Sequence, residues 1–152
     1  MFSMGYRANF MPKPFPEDYG NGLHVHISLW NKDKNMVFRK HQVIRYREIL
    51  HRWSLRTRES LSSIYKPSIN SYRKLIEGYE APVYIAWGIG NRTTMIRIPM
   101  SNSSIEIRNP DPSMNSYLGL SAILIASITG IEKKLSLVNQ SHLIYILRLL
   151  VI

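Results

Sequence analysis

Two short segments with strict alternation of apolar and polar residues constrain the fold of this chain most strongly. They cover residues 95–99 (MIRIP) and 105–108 (IEIR). Alternation at period two predicts β-strands that bury one face and expose the other to polar surroundings. We therefore expect Arg97, Glu106 and Arg108 to project from the polar faces of neighbouring strands.

The chemistry of that polar face has two interpretations. Two guanidiniums and a carboxylate on one sheet face suit a phosphate, a carboxylate substrate or a metal ion. A solvated antiparallel face with cross-strand ion pairs would carry the same residues, and the pattern favours both interpretations about equally. Residues 70–94, which precede these segments, contain a glycine-centred loop and an apolar run.

A third alternating segment, residues 23–29 (LHVHISL), puts His24, His26 and Ser28 on one face of a predicted strand. Two imidazoles on a strand can bind a metal ion or an anionic substrate. Surface histidines without a ligand are the more common outcome for such a pattern. The pattern alone leaves metal binding open.

Composition sets broad limits on the class of protein. The chain has 152 residues, 45% hydrophobic content and no cysteine, which suits one globular domain and excludes disulfides and thiolate metal sites. We see no signal peptide and no run of the ~18 apolar residues that a membrane span needs. We therefore expect a cytoplasmic protein that is not bound to a membrane.

The net charge of +10 would fit a nucleic-acid-binding module. The positive charge is concentrated in one segment, however, because residues 39–58 contain seven arginines and lysines against one glutamate. Elsewhere the balance is modest, and this distribution argues against nucleic acid as the partner.

The C-terminal third predicts one long helix. Residues 113–134 have Leu118, Ala122, Ile125 and either Ile128 or Thr129 at helical spacing and are apolar on most faces, which predicts a buried helix. The expected fold class is α+β: an incomplete, curved antiparallel sheet with helices packed on its apolar face. Residues 143–152 (LIYILRLLVI) are apolar enough to need a partner surface.

Three motifs, in this order and spacing, resemble the catalytic domain of glutamine synthetase. They are MPKPFPEDYGNGLHVHISLW (11–30), PSINSYRKLIEGYEAPVYIAWGIGNRTTMIRIP (67–99) and IEIRNPDPSMNSYLGLSAILIASITGIEKK (105–134). The resemblance implies ligation of ammonia to glutamate, in which ATP first phosphorylates the side-chain carboxylate of glutamate. It also implies Mg2+ or Mn2+ and ATP as cofactors, with glutamate and ammonia as substrates.

The resemblance also assigns roles at the reacting end of the substrate. It implies catalytic roles for Glu80, in the GYEAP loop, and for Arg92. It implies substrate binding by Gly20, Lys74 and Arg108.

The remaining matched positions concern the nucleotide and the metal ion. His26, Ser28 and Arg97 match nucleotide or phosphate contacts, and His24 with Glu106 matches ligands of the metal ion that bridges the nucleotide phosphates.

Departures from the family pattern limit what the resemblance implies. Tyr19 stands where the family usually has asparagine, and Lys74 stands where a bidentate arginine is expected. Glu77 replaces a loop proline and Gly90 replaces an arginine. The family's N-terminal domain and the glutamates that complete its metal sites have no match here. We therefore expect residues 1–152 to be a partial catalytic domain that is inactive alone.

Two segments that do not match the family suggest a decayed or mis-sequenced gene. Codons exist for residues 47–57 (REILHRWSLRT) that, read one base later, encode the glycine-containing apolar helix of the family, and residues 137–141 (LVNQS) behave likewise. We predict that residues 39–60 and 136–152 are out of frame and poorly ordered, which the DNA sequence tests directly. A working subunit completed by a full-length glutamine synthetase partner is the alternative.

Overall fold

The computed structural model describes residues 2–28, 30–32, 34–35, 60–76, 78–79, 81–100 and 104–132. Most of this part of the chain is organised around a four-stranded sheet and three α-helices. In chain order the strands are β1 (Val25–Ile27), β2 (Trp30–Asn31), β3 (Lys34–Asn35), β4 (Tyr84–Ile89), β5 (Thr94–Ile98) and β6 (Ile105–Ile107). The helices are α1 (Ser60–Tyr65), α2 (Ile69–Arg73) and α3 (Ser116–Glu132), with a short 3-10 turn at Phe2–Met4.

The sheet has the order β1-β6-β5-β4, whereas β2 and β3 form a separate two-stranded hairpin. β6 pairs antiparallel with β1 and β5, but β4 pairs parallel with β5. The α+β class is therefore confirmed, whereas a wholly antiparallel sheet is wrong. The reason lies in residues 90–93, which return the chain along β4, so that Tyr84 lies level with Thr94 and Ile89 with Ile98.

The alternation read from the sequence is confirmed where strands form. Ile96 pairs with Ile107, and both are only 1% exposed, in the hydrophobic core. Arg97 pairs with Glu106 on the opposite face. The core between the sheet and the helices also contains Tyr65, Trp87, Met95, Ile98, Ile105, Met114 and Ile123.

The long helix departs from its predicted burial. α3 begins at Ser116 and packs against α1, with Ile123 1% exposed in the core. Yet Leu118, Ile125 and Ile128, from the stripe predicted to be buried, are 62%, 66% and 53% exposed. The prediction of a helix buried on most faces is wrong for the described part of the chain, because the residues described there cover only the Ile123 side.

Two further expectations meet the structure differently. Residues 39–59 and 136–152 lie outside the described residues, so the prediction that they are out of frame is untested; Ser60 opens α1. Within the part of the chain that the structure describes, no helix is both long and apolar enough to cross a membrane.

Candidate functional site

Glu106 lies at the centre of an ion cluster on the polar face of the sheet. Its Oε2 accepts a hydrogen bond from Arg97 Nη1 at 2.7 Å, and its Oε1 accepts one from Arg108 Nη1 at 2.7 Å. The Nδ1 atom of His24 lies 3.1 Å from the same Oε1. His26, Glu106 and Arg97 form one row across β1, β6 and β5, and this pairing places Arg97 beside Glu106.

The surroundings of Glu106 keep it ionised. The residue is 2% exposed, and burial alone would raise the pKa of its carboxyl group. Hydrogen bonds from Arg97 and Arg108 outweigh burial, so the pKa of Glu106 lies below its ordinary value. The solvated face considered from the sequence is thus excluded at this position: the ion pairs exist, but they are buried.

His24 has the opposite balance. Burial lowers the pKa of its imidazole and the nearby Arg108 lowers it further, although Glu106 acts in the other direction. The net effect is a pKa below the ordinary value, so the ring is neutral at pH 7. A neutral imidazole keeps a lone pair that can bind a metal ion.

The two residues that the family motifs assign to a metal ion, His24 and Glu106, are in contact. The separation of 3.1 Å between Nδ1 and Oε1 is that of an ordinary hydrogen bond. Among the described residues, however, no group of three or more His, Cys, Asp and Glu side chains could hold a metal ion. The role of the pair as cation ligands therefore stays a prediction.

A cavity of about 330 Å³ opens beside this cluster. Four of its lining side chains are basic: Lys13, His24, Lys74 and Arg108. It is also lined by Tyr19, Gly20, Asn21, Gly22, Tyr79, Ala81 and Pro82. A concave, positively charged site of this size suits a small anionic ligand, such as a carboxylate.

Close backbone packing fixes one wall of the cavity at Gly20. A Cβ atom there would lie 2.6 Å from the carbonyl oxygen of Pro12 and 3.0 Å from Cβ of Lys74. Both neighbours are held in place, so position 20 has no room for a side chain. This explains why position 20 is glycine, whereas its role in substrate binding stays a prediction.

Helix α2 positions Lys74. The helix begins with a capping box between Ser68 and Ser71, and Lys74 is its C-cap residue. The ammonium group donates to the carbonyl oxygen of Asn21 at 3.2 Å and lies 4.0 Å from Oδ2 of Asp111. Burial lowers the pKa of Lys74, and Asp111 opposes that shift.

Two of the three predicted nucleotide contacts, His26 and Ser28, lie on the edge strand β1 or directly after it. His26 is exposed, with Nδ1 3.2 Å from Oγ of Ser104. Ser28 follows β1, and its Oγ accepts from Nε1 of Trp30 at 3.0 Å. Their roles stay predictions.

The structure describes only one of the two predicted catalytic residues. Arg92 is exposed, and its carbonyl oxygen accepts from Nε of Arg108 at 3.1 Å, which ties its backbone to the ion cluster. Glu80 lies outside the described residues. Its assigned role stays a prediction.

Two buried basic residues near the cavity escaped the sequence reasoning. Lys13 is 6% exposed and lies between prolines in a segment with no periodicity. Lys66 is also 6% exposed, and burial together with Lys74 lowers its pKa to about 8, against the effect of Asp111. Only long-range packing buries these side chains, so no local pattern could have identified them.

Comparisons with known proteins identify relatives of this chain. Residues 2–142 match the family described as glutamine synthetase, catalytic domain. The chain is 44% identical over 137 residues to glutamine synthetase of Thermotoga maritima, covering 86% of this chain and 31% of the relative. It is also 44% identical over 133 residues to the glutamine synthetase of Thermococcus kodakarensis, with 86% and 30% covered.

Solved structures resemble the chain as well. The cryo-EM structure of Plasmodium falciparum glutamine synthetase matches with a TM-score of 0.79 and 30% identity, over 88% of this chain and 27% of that one. A ligand-free GmaS structure matches with a TM-score of 0.78 and 34% identity, over 91% and 33%. This chain therefore spans roughly a third of the length of the proteins it matches.

Proposed function

The chain belongs to the glutamine synthetase family, and we propose that it supplies the part of a glutamine synthetase active site that holds glutamate and the transferred phosphoryl group. In the proposed reaction ATP phosphorylates the side-chain carboxylate of glutamate, and ammonia then displaces the phosphate. Because the chain spans about 31% of the relative from Thermotoga maritima, the activity is proposed for the completed site.

The basic cavity is the proposed glutamate site. Arg108 and Lys74 present positive charge to it from β6 and α2, and both are nearly fully buried. A carboxylate bound there would meet cations in a region with little competing water, where charge-assisted hydrogen bonds are strong. Lys74 offers a point charge without the fork of a guanidinium, so we expect weaker orientation of the carboxylate than an arginine would give.

The outer end of the polar face is the proposed phosphate end. Arg97 has one nitrogen on Glu106, and its side chain is 23% exposed, so it remains accessible to an anion. Arg92, His26 and Ser28 are exposed and stand at positions that match the family motifs. We assign these residues to the nucleotide and the transferred phosphoryl group, whose negative charge they would offset.

His24 and Glu106 are the proposed cation ligands of this chain. A bound Mg2+ or Mn2+ would neutralise the charge of the nucleotide phosphates. Arg108 holds Glu106 ionised and orients it, while burial keeps His24 neutral, and both conditions favour coordination. The proposed role of Glu80, accepting the proton of ammonium, has support from the family resemblance only.

One observation supports an inactive chain over an active one. Among the described residues, the candidate cation site has two donors and no third acidic or imidazole ligand within reach. Divalent cations of this type prefer six oxygen-rich ligands. We therefore infer that the isolated chain binds glutamate but does not catalyse ligation.

Phosphate release tests this inference. The purified chain is incubated with glutamate, ATP, ammonium and Mg2+, and we expect no release above a blank without protein. Calorimetry with L-glutamate should show binding that weakens at least tenfold in Lys74→Met. The matched control is Lys32→Met, at an exposed lysine outside the cavity. Turnover by the chain alone, or glutamate binding unchanged in Lys74→Met, would contradict the proposal.

A second candidate function is a subunit that a partner chain completes. The exposed apolar face of α3 favours it, since that face has no cover among the described residues. Mixing the chain with a full-length relative whose own catalytic carboxylate has been removed provides the test. Restored phosphate release would support an active site that the two chains form together, whereas continued inactivity would support an inactive partial domain.

A further inference from the structure

Tyr79, in the loop beside the basic cavity, is held by two residues from a distant part of the chain. The ammonium nitrogen of Lys13 lies 4.8 Å from the centre of the Tyr79 ring. The ring of Tyr19 meets the same ring edge-on, with centroids 5.3 Å apart and planes at 72°. Both geometries are attractive, as a cation over an aromatic face and as an edge-to-face aromatic pair.

Lys13 is anchored independently of Tyr79. Its backbone N–H donates to Oδ1 of Asn70 at 2.6 Å, and its carbonyl oxygen accepts from Nδ2 of Asn70 at 2.9 Å. Its ammonium group also donates to the carbonyl oxygen of Asp18. The backbone of Lys13 is thus fixed to α2, and the residue provides a firm support for the ring above it.

Among the described residues of the loop that carries Tyr79, the backbone provides little support. Gly78 has a φ of 90°, a conformation open mainly to glycine, and a Cβ there would meet nothing within 4 Å. The amide of Tyr79 donates to the carbonyl oxygen of Ile76 at a long 3.4 Å. The side-chain contacts of Tyr79 therefore carry much of what fixes this wall of the cavity.

We propose that Tyr19 is a positioning residue, which holds Tyr79 and thereby keeps the wall of the basic cavity formed by Tyr79, Ala81 and Pro82 in place without a ligand. Tyr19, Tyr79, Ala81 and Pro82 all line that cavity. The proposal deepens the proposed glutamate site, but its structural part does not depend on glutamate.

Hydrogen exchange of the full chain tests the proposal, with the amides of Tyr79 and Ala81 as reporters. In Tyr19→Ala and Tyr19→Asn we expect exchange at both amides to accelerate roughly fivefold, since an aromatic pair contributes that order of stabilisation. Tyr19→Phe keeps the ring and should stay within twofold of the native chain. Lys13→Met keeps the backbone bonds to Asn70 and should accelerate exchange similarly to Tyr19→Ala.

The matched control is Tyr6→Ala, because Tyr6 is 71% exposed and Tyr19 is 64% exposed. It should leave the loop amides unchanged. Loop exchange within twofold of native in Tyr19→Ala would overturn the proposal. Equal acceleration of the β5 amides would overturn it too, because that result reports global destabilisation. Failure of the native chain to bind L-glutamate in calorimetry would instead count against the proposed function alone.

Discussion

The ion cluster around Glu106 consists of charged residues and is buried, whereas helix α3 consists mainly of apolar residues and is largely exposed. The cluster is made of charged groups, yet Glu106 is 2% exposed and each of its oxygens has a cationic donor. α3 is made largely of apolar residues, yet Leu118 and Ile125 are more than 60% exposed. Whether a region consists of charged or apolar residues therefore does not determine whether it is buried. Burial depends on whether neighbouring elements provide contacts, as the strands around Glu106 do.

The largest expected effect comes from a substitution at the centre of the ion cluster. Glu106→Gln keeps the shape of the side chain but leaves Arg97 and Arg108 without their carboxylate. We expect a loss of about 3–5 kcal/mol in the free energy of unfolding, because buried guanidiniums would lose their counter-charge. Urea denaturation measures the loss, with the exposed Glu17→Gln as the control. A loss below about 1 kcal/mol would show that the cluster is open to water.

A pair of substitutions on adjacent residues of α3 compares its covered and uncovered sides. Ile123 is 1% exposed, and Ile123→Ala should cost about 2–5 kcal/mol through lost burial and a cavity. Leu124 is 58% exposed, and Leu124→Ala should change stability by less than about 0.5 kcal/mol. Thermal unfolding of both variants measures the difference. Equal costs at the two positions would mean that something covers the exposed side in solution.

Lys66 extends this comparison, because it is a buried lysine whose charge is only partly compensated. Asp111 is shared between Lys66 and Lys74, and the pKa of Lys66 falls to about 8. Lys66→Met should raise the free energy of unfolding at pH 7 by up to about 3 kcal/mol. Denaturant unfolding at a series of pH values measures it, with the exposed Lys32→Met as the control.

The sign of the pH dependence follows from the lowered pKa of Lys66. Between pH 8 and the ordinary lysine value of 10.5, the unfolded chain binds the proton that the folded chain has released. Stability of the native chain should therefore rise with pH across that window. In Lys66→Met this part of the rise should disappear. A rise of equal size in the variant would contradict a buried, weakly paired Lys66.

The parts of the fold that follow from local rules were predictable. Period-two alternation placed Arg97 and Glu106 on one face and Ile96 and Ile107 on the other, because successive side chains of a strand point to opposite sides. The direction of β4 was not predictable, since nothing in residues 90–93 alone shows that they return the chain along β4.

The burial of α3 and of the lysines required knowledge of what surrounds them. An apolar helix is expected to pack against other residues, but the sequence does not identify those residues. The described residues cover only the Ile123 side of α3. The burial of Lys13 and Lys66 depends on contacts with residues far along the chain, such as Asn70 and Asp111. The family motifs assigned His24 and Glu106 to one site, and the structure places them 3.1 Å apart; their role as cation ligands stays a prediction.

The pairing of β1 with β6 has a consequence for the order in which this sheet assembles. β4, β5 and β6 are close in sequence, but Val25 pairs with Ile107 about 80 residues later. Closing a loop of that length costs roughly 4 kcal/mol of chain entropy before any contact repays it. We expect β1 to join last during folding and to detach first in local opening. His24 travels with that edge strand, so it meets Glu106 only in the closing step of assembly.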